Sequence, residues 1–329
     1  MKPLHQNAMS ALKPPRVLAA INICNYCNNR CIYCKEGRRE GAEYASLSLP
    51  EIKRNIARLV LEKKVEAVIL MGGEVSLRPD FMEILRFIRS LGLEVGVGSN
   101  LVRFSDKKFL ASCLKHISFL EVSVPAITEK EYRVITRSEN FNKFMRGLRN
   151  VAAAKVPVTV NIVLTRYTLP LVPGILAFLD GVMPAGLRMV NFKIPTLRGN
   201  AQEHADKMCG PVLALRRLKP LLIEWSPRML LMVTGAPLCL MRGFEQFSLE
   251  AFVRFAGHRE ICINHRTLVF GMDLPAREPF FAECNACRMK GFCAIPSERA
   301  GRSMFDNKLD AGKILGRLAG RLLLPGAPR

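Results

Sequence analysis

Apolar positions fall along the chain in two alternating rhythms. Short runs that are apolar at nearly every position, such as Val17 to Cys24 (VLAAINIC), predict strands buried on both faces. Longer stretches with an apolar residue every three or four positions predict helices. Ser48 to Lys63 is of the second kind: Ser48 is placed to cap it, and Glu51 completes a capping box three residues on. Glu66 to Met71 (EAVILM) predicts a second strand ending at Gly72-Gly73, and Pro79 opens a helix that stops near Gly92. Glu94 to Ser99 gives a third strand, Asp106 to Lys115 a helix and Ile117 to Val124 a fourth strand. Asn142 to Lys155 is helical, Val158 to Leu164 (VTVNIVL) alternates as a strand, and Leu171 to Met183 is a weaker helix broken by Pro173 and Gly174. Met189 to Ile194 closes the series as a sixth strand.

Six strands alternating with helices predict a parallel sheet with crossover helices. The stretch they occupy is short of the roughly 250 residues of an eight-unit barrel. The expected fold is therefore α/β: a partial (β/α)6 TIM barrel over residues 1–200, open on one side. Beyond Asn200 the rhythm changes. Pro211 to Trp225 reads as a helix and Met229 to Thr234 as a candidate strand, and from Pro237 onward five cysteines lie among short apolar runs and loops. Loops of this kind bury too little to stand alone, so residues 201–305 are expected to form a small cysteine-rich unit supported by metal. Residues 306–329 return to helical period, with Ile314, Leu315, Leu318 and Leu322 on one face and Lys313, Arg317 and Arg321 on another. Such a basic amphipathic helix suits an anionic membrane, a partner or the protein's own barrel.

Composition narrows the class. With 329 residues, 49% of them hydrophobic, the chain can bury a large core, which excludes general disorder. Met1 to Arg16 has no apolar segment of signal-peptide type. No uninterrupted apolar run reaches the length of about 18 residues expected of a membrane span, so a cytoplasmic location without a transmembrane segment is expected. The formal charge of +21 points either to an anionic partner or to a solvated basic surface. Eleven cysteines in a reducing compartment point to metal or catalysis rather than to disulfides.

The chemistry starts at CNYCNNRCIYC, residues 24–34. This segment follows the first strand at its carboxyl end, where α/β barrels place their active groups. Cys27, Cys31 and Cys34, on one short loop, can hold three corners of a cubane cluster. A [4Fe–4S] cube normally takes four thiolates, so three leave one iron open to the amino and carboxylate groups of a non-protein ligand. The same residues allow a second reading, a four-thiolate zinc knot of Cys24, Cys27, Cys31 and Cys34. Against it, Cys24 ends an apolar strand, and the loop leads straight into an α/β body.

CxxxCxxC after the first strand of a partial barrel resembles the radical S-adenosylmethionine (SAM) superfamily. The resemblance implies a [4Fe–4S] cluster on Cys27, Cys31 and Cys34 that reduces SAM, yielding a 5′-deoxyadenosyl radical that abstracts hydrogen from a substrate. It places Tyr33 near the SAM adenine. GGEVSLRPDF is similar to the family's GGEP-x-L-x-P, with Val75 where proline is common. Gly72 and Gly73 let the backbone approach a ligand, and Glu74 is of a type to accept from the SAM ammonium. Ser99-Asn100 resembles the family's turn after the third strand. Ser123 matches a serine that contacts SAM, although Pro125 stands where an aspartate is usual. Arg137 falls where the family often carries an arginine near the SAM carboxylate, and Asn161, mid-strand and facing the barrel interior, is placed to meet the ribose. For Ser123, Arg137 and Asn161 an ordinary polar role stays open.

Cys284-x2-Cys287-x5-Cys293, with Cys239 as a fourth ligand, resembles the auxiliary-cluster domains of SPASM or twitch type. The resemblance implies a second [4Fe–4S] cluster. Cys262 is an alternative to Cys239, and a structural zinc site on the same four thiols is the alternative metal. Cys113 and Cys209 read as structural. The implied partners are SAM, a substrate of unknown identity with a peptide or protein as first choice, and an electron donor such as flavodoxin or ferredoxin. A small metabolite or a lipid- or nucleotide-linked substrate is the second choice. From another class comes a zinc-stabilised, basic nucleic-acid-binding protein. Nucleic acid is the less favoured partner, because only 7% of residues are aromatic and they are not interleaved with the basic ones.

Overall fold

The computed structural model describes residues 17–37, 46–256, 259–264, 267–270 and 293. Among them, the chain runs β1 (Val17–Cys24), α1 (Leu49–Lys63), β2 (Ala67–Gly72), α2 (Phe81–Ser90), β3 (Glu94–Ser99), α3 (Lys107–Leu114), β4 (Phe119–Ser123), α4 (Glu129–Thr136) and α5 (Phe141–Ala153). It continues through β5 (Val158–Val163), α6 (Val172–Val182), β6 (Leu187–Lys193), α7 (Asn200–Glu203), α8 (Pro211–Trp225), β7 (Leu231–Thr234), α9 (Leu249–Phe255), β8 (Arg259–Asn264) and β9 (Thr267–Phe270).

The strands form one sheet in the order β7-β6-β5-β4-β3-β2-β1-β8-β9. Every pair is parallel except β8 with β9. From β1 to β7 each connection moves to the adjacent strand in the same direction. The sheet thus rolls as an arc that β7 and β1 do not close: a partial α/β barrel, as the periodicity predicts. All six predicted strands form. Past residue 200 the same sheet continues, because β7 joins β6 and β8 joins the free edge of β1.

Alternation sorts the strand side chains into two faces. Ile21, Leu70, Val97, Val122, Val160 and Phe192 point outward and are fully buried against the helices, meeting Ile52, Phe81, Ile84, Phe144, Leu148 and Ile175. The opposite face lines the lumen and carries Phe119, Glu121, Ser123, Asn161, Asn191 and Thr234. Phe119 pairs with Gly96 and lies where a Cβ of that residue would be, which fills the amino end of the barrel. The helices α6 and α4 differ from expectation, as do the short α7 and α9. Pro173 does not break α6 but sits in its first turn, where no intrahelical donor is required of it. α4 goes beyond what the sequence pattern predicts.

Candidate cofactor site

The cysteine loop leaves β1 at its carboxyl end and is fixed by three other loops. The first follows β2. Gly73 N donates to Cys24 O at 2.8 Å and Glu74 N to Tyr26 O at 2.9 Å. A Cβ on Gly72 would stand 2.2 Å from Cys24 O, and one on Gly73 2.0 Å from Tyr26 O. The sequence reading has these glycines admit a ligand; the backbone they admit here is that of the cysteine loop. The second tie is the end of α4. Arg30 N and Ile32 N donate to Thr136 O and Ile135 O at 2.8 and 2.9 Å. Asn29, buried, donates to the Tyr132 hydroxyl at 3.2 Å and accepts from Ser138 Oγ and Asn140 Nδ2 at 2.8 and 3.1 Å. The third tie follows β6: Asn200 donates from its backbone to Cys34 O and from Nδ2 to Cys31 O, both at 3.0 Å.

Cys27 is exposed, Cys31 and Cys34 are partly buried, and all three thiols are free. Although Cys27 is exposed as a residue, the protein packed around its sulfur removes solvent and pushes its thiol up to about 11, and Cys31 and Cys34 are raised by burial. Their mutual repulsion adds to this, since Cys34 raises both Cys27 and Cys31. Three thiolates so close together need a cationic centre among them. Donors for thiolate sulfur are already in place. Asn29 N and Asn100 Nδ2 lie 3.4 and 3.5 Å from Cys27 Sγ, and the amides of Glu36 and Gly37 face Cys34. Such N–H···S contacts are a general means of tuning cluster potential. Among the described residues no three Cys, His, Asp or Glu side chains are arranged around a single ion. Cys24 packs into the core, buried at the end of β1, whereas the other three thiols stand on the loop. The donor set suits a polynuclear cluster, whose corners are farther apart.

Beside this loop, the Glu74 carboxylate is fully buried. Its Oε1 accepts from Ser76 Oγ, Ser99 Oγ and Ser76 N at 2.5, 2.9 and 3.3 Å, and its Oε2 accepts from Asn100 N at 2.6 Å. Burial raises its pKa and these four donors oppose the rise. Glu74, Ser99 and Asn100 are therefore one hydrogen-bonded unit, joined to the cysteine loop through Asn100 Nδ2, which donates to Asn28 Oδ1 at 2.7 Å. Tyr33 is hydrogen-bonded to Cys31 and packs with Ile32, Ala201 and Met208. Ser123 and Asn161 are register partners on β4 and β5. Arg137, exposed and with φ of 52° at the end of α4, lies 3.5 Å from the His204 ring.

Residues 21–169 match the family model of the radical SAM superfamily. From β1 to just past β5 the chain is thus similar to the radical SAM superfamily. Radical SAM enzymes use a [4Fe–4S] cluster and SAM. The chain is 26% identical over 206 residues to a protein of Sulfurisphaera tokodaii named "Probable GTP 3′,8-cyclase", covering 57% of this chain and 64% of that one. It is 30% identical over 157 residues to a namesake from Methanothermobacter marburgensis, covering 46% and 50%. The chain thus spans less than two thirds of the length of these relatives. In fold it is similar to Streptococcus suis SuiB bound to SAM, with a TM-score of 0.60, 16% identity and coverage of 85% and 72%. It is likewise similar to the hydrogenase maturase HydG of Carboxydothermus hydrogenoformans, with a TM-score of 0.57, 16% identity and coverage of 98% and 82%.

Two features of this barrel lie beyond the sequence reading. One is a directed hydrogen-bond chain across the lumen face. Thr234 Oγ1 donates to Asn191 Oδ1 at 2.8 Å, Asn191 Nδ2 to Asn161 Oδ1 at 3.2 Å, and Asn161 Nδ2 to Glu121 Oε2 at 3.4 Å. Asn161 thus works inside a polar belt spanning β4 to β7. The other is the group of asparagines, Asn28, Asn29, Asn140 and Asn200, that stitch the cysteine loop down. Their only sequence signal is the Asn-Asn pair between Cys27 and Cys31. Of the second cysteine set, Cys239 lies in a short turn, Leu238–Met241, after β7, and Leu238 N donates to Cys293 Sγ at 3.4 Å. Cys284 and Cys287 lie outside the described residues, as does residues 306–329, the expected basic helix. Cys262 falls on β8, opposite Ala20. Cys113 and Cys209 are buried in the core. Among the described residues no helix is long and apolar enough to cross a membrane.

Proposed function

We propose that the chain is a radical SAM enzyme that cleaves SAM reductively and abstracts a hydrogen atom from its substrate. The observation that carries this is three free thiols on one stitched loop, with N–H donors aimed at sulfur, beside the Gly73–Glu74 and Ser99–Asn100 unit. Cys27, Cys31 and Cys34 would hold the [4Fe–4S] cluster. When bound, the cluster supplies the electron that breaks the sulfonium bond of SAM and frees a 5′-deoxyadenosyl radical. The protein's part is to bind and orient. Gly73, Glu74, Ser99 and Asn100 take the amino-acid end of SAM, Tyr33 the adenine, Ser123 and Asn161 the ribose side, and Arg137 the carboxylate. The lumen, lined by Glu121, Asn161, Asn191 and Thr234, receives the reacting end of the substrate.

For the substrate our reading is a peptide or protein, with residues 201–305 as an auxiliary-cluster unit of SPASM or twitch type. It is supported by Cys239 and Cys293 at the same mouth of the barrel, and by Cys284 and Cys287, which stand close to Cys293 in sequence. A nucleotide is the second reading, supported by the names of the sequence relatives. Anaerobic reconstitution tests the core claim. SAM with a strong reductant is expected to give 5′-deoxyadenosine, and Cys31→Ala to abolish it; product from that variant rejects the cluster assignment. Adding GTP or candidate precursor peptides and following deuterium transfer into 5′-deoxyadenosine then decides between the substrates.

A further inference from the structure

The cysteine-bearing excursion departs from the barrel after Ile23 and rejoins it at Leu47. One side chain grips both points. Arg78, whose side chain is 7% exposed, donates from Nη1 to Ile23 O at 2.5 Å and to Leu47 O at 2.8 Å. The other edge of its guanidinium is locked: Nε donates to Asp80 Oδ1 at 2.8 Å and Nη2 to Asp80 Oδ2 at 2.7 Å. Asp80 occupies the N-cap of α2, yet its carboxylate caps no amide there. Both of its oxygens are committed to Arg78. A second tie crosses the same neck: Asn25 N donates to Ser46 Oγ at 3.1 Å, and Ser46 Oγ to Asn25 Oδ1 at 2.8 Å.

We infer that Arg78 is a positioning residue for the cluster: locked by Asp80, it pins both roots of the cysteine loop and sets how the three thiols face the Gly73–Glu74 loop. The inference rests on the cluster assignment above. Only a planar fork does this. Two carbonyls on one edge and a bidentate carboxylate on the other use donors in fixed directions, which a lysine ammonium does not offer. The hydrogen bonds of Arg78 go to Asp80 and to the Ile23 and Leu47 carbonyls, not to the three thiols, so its effect passes through the loop.

The test compares wild type with Arg78→Lys, Arg78→Gln and Asp80→Asn after anaerobic reconstitution. The readouts are the rate of iron release to a ferrous chelator, the change that SAM produces in the electron paramagnetic resonance spectrum of the reduced cluster, and amide exchange of the metal-free protein. Arg78→Lys and Asp80→Asn are expected to release iron about tenfold faster, the scale of outer-shell losses at metal sites. The SAM-induced spectral change should broaden or vanish. In the metal-free protein the amides of Gly73, Glu74, Arg30 and Ile32 should exchange faster while those of α5 do not. Wild-type behaviour of Arg78→Lys overturns the inference. So does a normal Arg78→Lys beside a leaky Arg78→Gln, which would assign the role to charge alone. Should Arg78 variants fail to fold, Asp80→Asn decides, since it leaves the arginine in place. If wild type holds no iron on the loop, the cluster assignment fails, and the clamp stands or falls on amide exchange alone.

Discussion

Gly73 shows how one missing side chain sets the geometry of this site. Its amide donates to Cys24 O, and its Cα lies so close to the cysteine loop that a methyl group would sit 2.0 Å from Tyr26 O. The atom in the way is backbone, so no rotamer change relieves the contact. β1 and β2 are held by their ladder; the loop is what must lift. Gly73→Ala is therefore expected to cost about 1–3 kcal/mol, the usual range for overpacking, and to take the thiols out of register with the Glu74 unit. Thermal unfolding of the metal-free variant should show the loss, and iron analysis after reconstitution should show most of the loop-bound iron missing. Full iron loading in Gly73→Ala would mean that the loop tolerates displacement.

At the scale of elements, what was legible in the sequence is what local periodicity encodes. The capping box of α1 forms as read: Ser48 Oγ accepts from Glu51 N at 3.4 Å and Glu51 Oε2 from Ser48 N at 2.8 Å. The three cysteines stand on a loop after β1 because an apolar run and a spacing were both visible. Three things were not visible. α4 (EKEYRVIT) buries only Tyr132, Ile135 and Thr136, too few apolar positions to show a helical period. β8 begins with Arg259-Glu260, amid loops, and its partner is the free edge of β1, a pairing distant in sequence with no local signal. The lumen belt is a register effect: Asn161 and Asn191 meet only because β5 and β6 align them. That belt carries a prediction. Asn191 is 2% exposed and serves both Asn161 and Thr234. Asn191→Leu keeps the branched outline but leaves those two buried or half-buried groups without this partner, at about 1–3 kcal/mol. Chemical denaturation checks it; unchanged stability would show that water already satisfies the belt.

For the whole molecule, parallel strands gather chemistry at one mouth. The loops after β1, β2, β3, β4 and β6 meet at the carboxyl ends of the strands, and the turn after β7 that bears Cys239 leaves from the same end. Cys293 comes to that turn through Leu238 N, although 54 residues separate it from Cys239 in sequence. Cys239 and Cys293 thus lie at the mouth that also bears the first thiol set. If the second set holds a cubane of its own, the two metal sites are separable by mutation, because they share no ligand. Replacing Cys27, Cys31 and Cys34 together by alanine is then expected to leave a brown protein with about four irons per chain, half of the two-cubane total, and no 5′-deoxyadenosine. Replacing Cys239 and Cys293 should remove the other half and leave reductive SAM cleavage without substrate in place. Metal analysis of the first variant is the sharper arm. Four irons support the auxiliary cluster, whereas a colourless chain with one zinc would make the second set a structural site and withdraw the main argument for a peptide substrate.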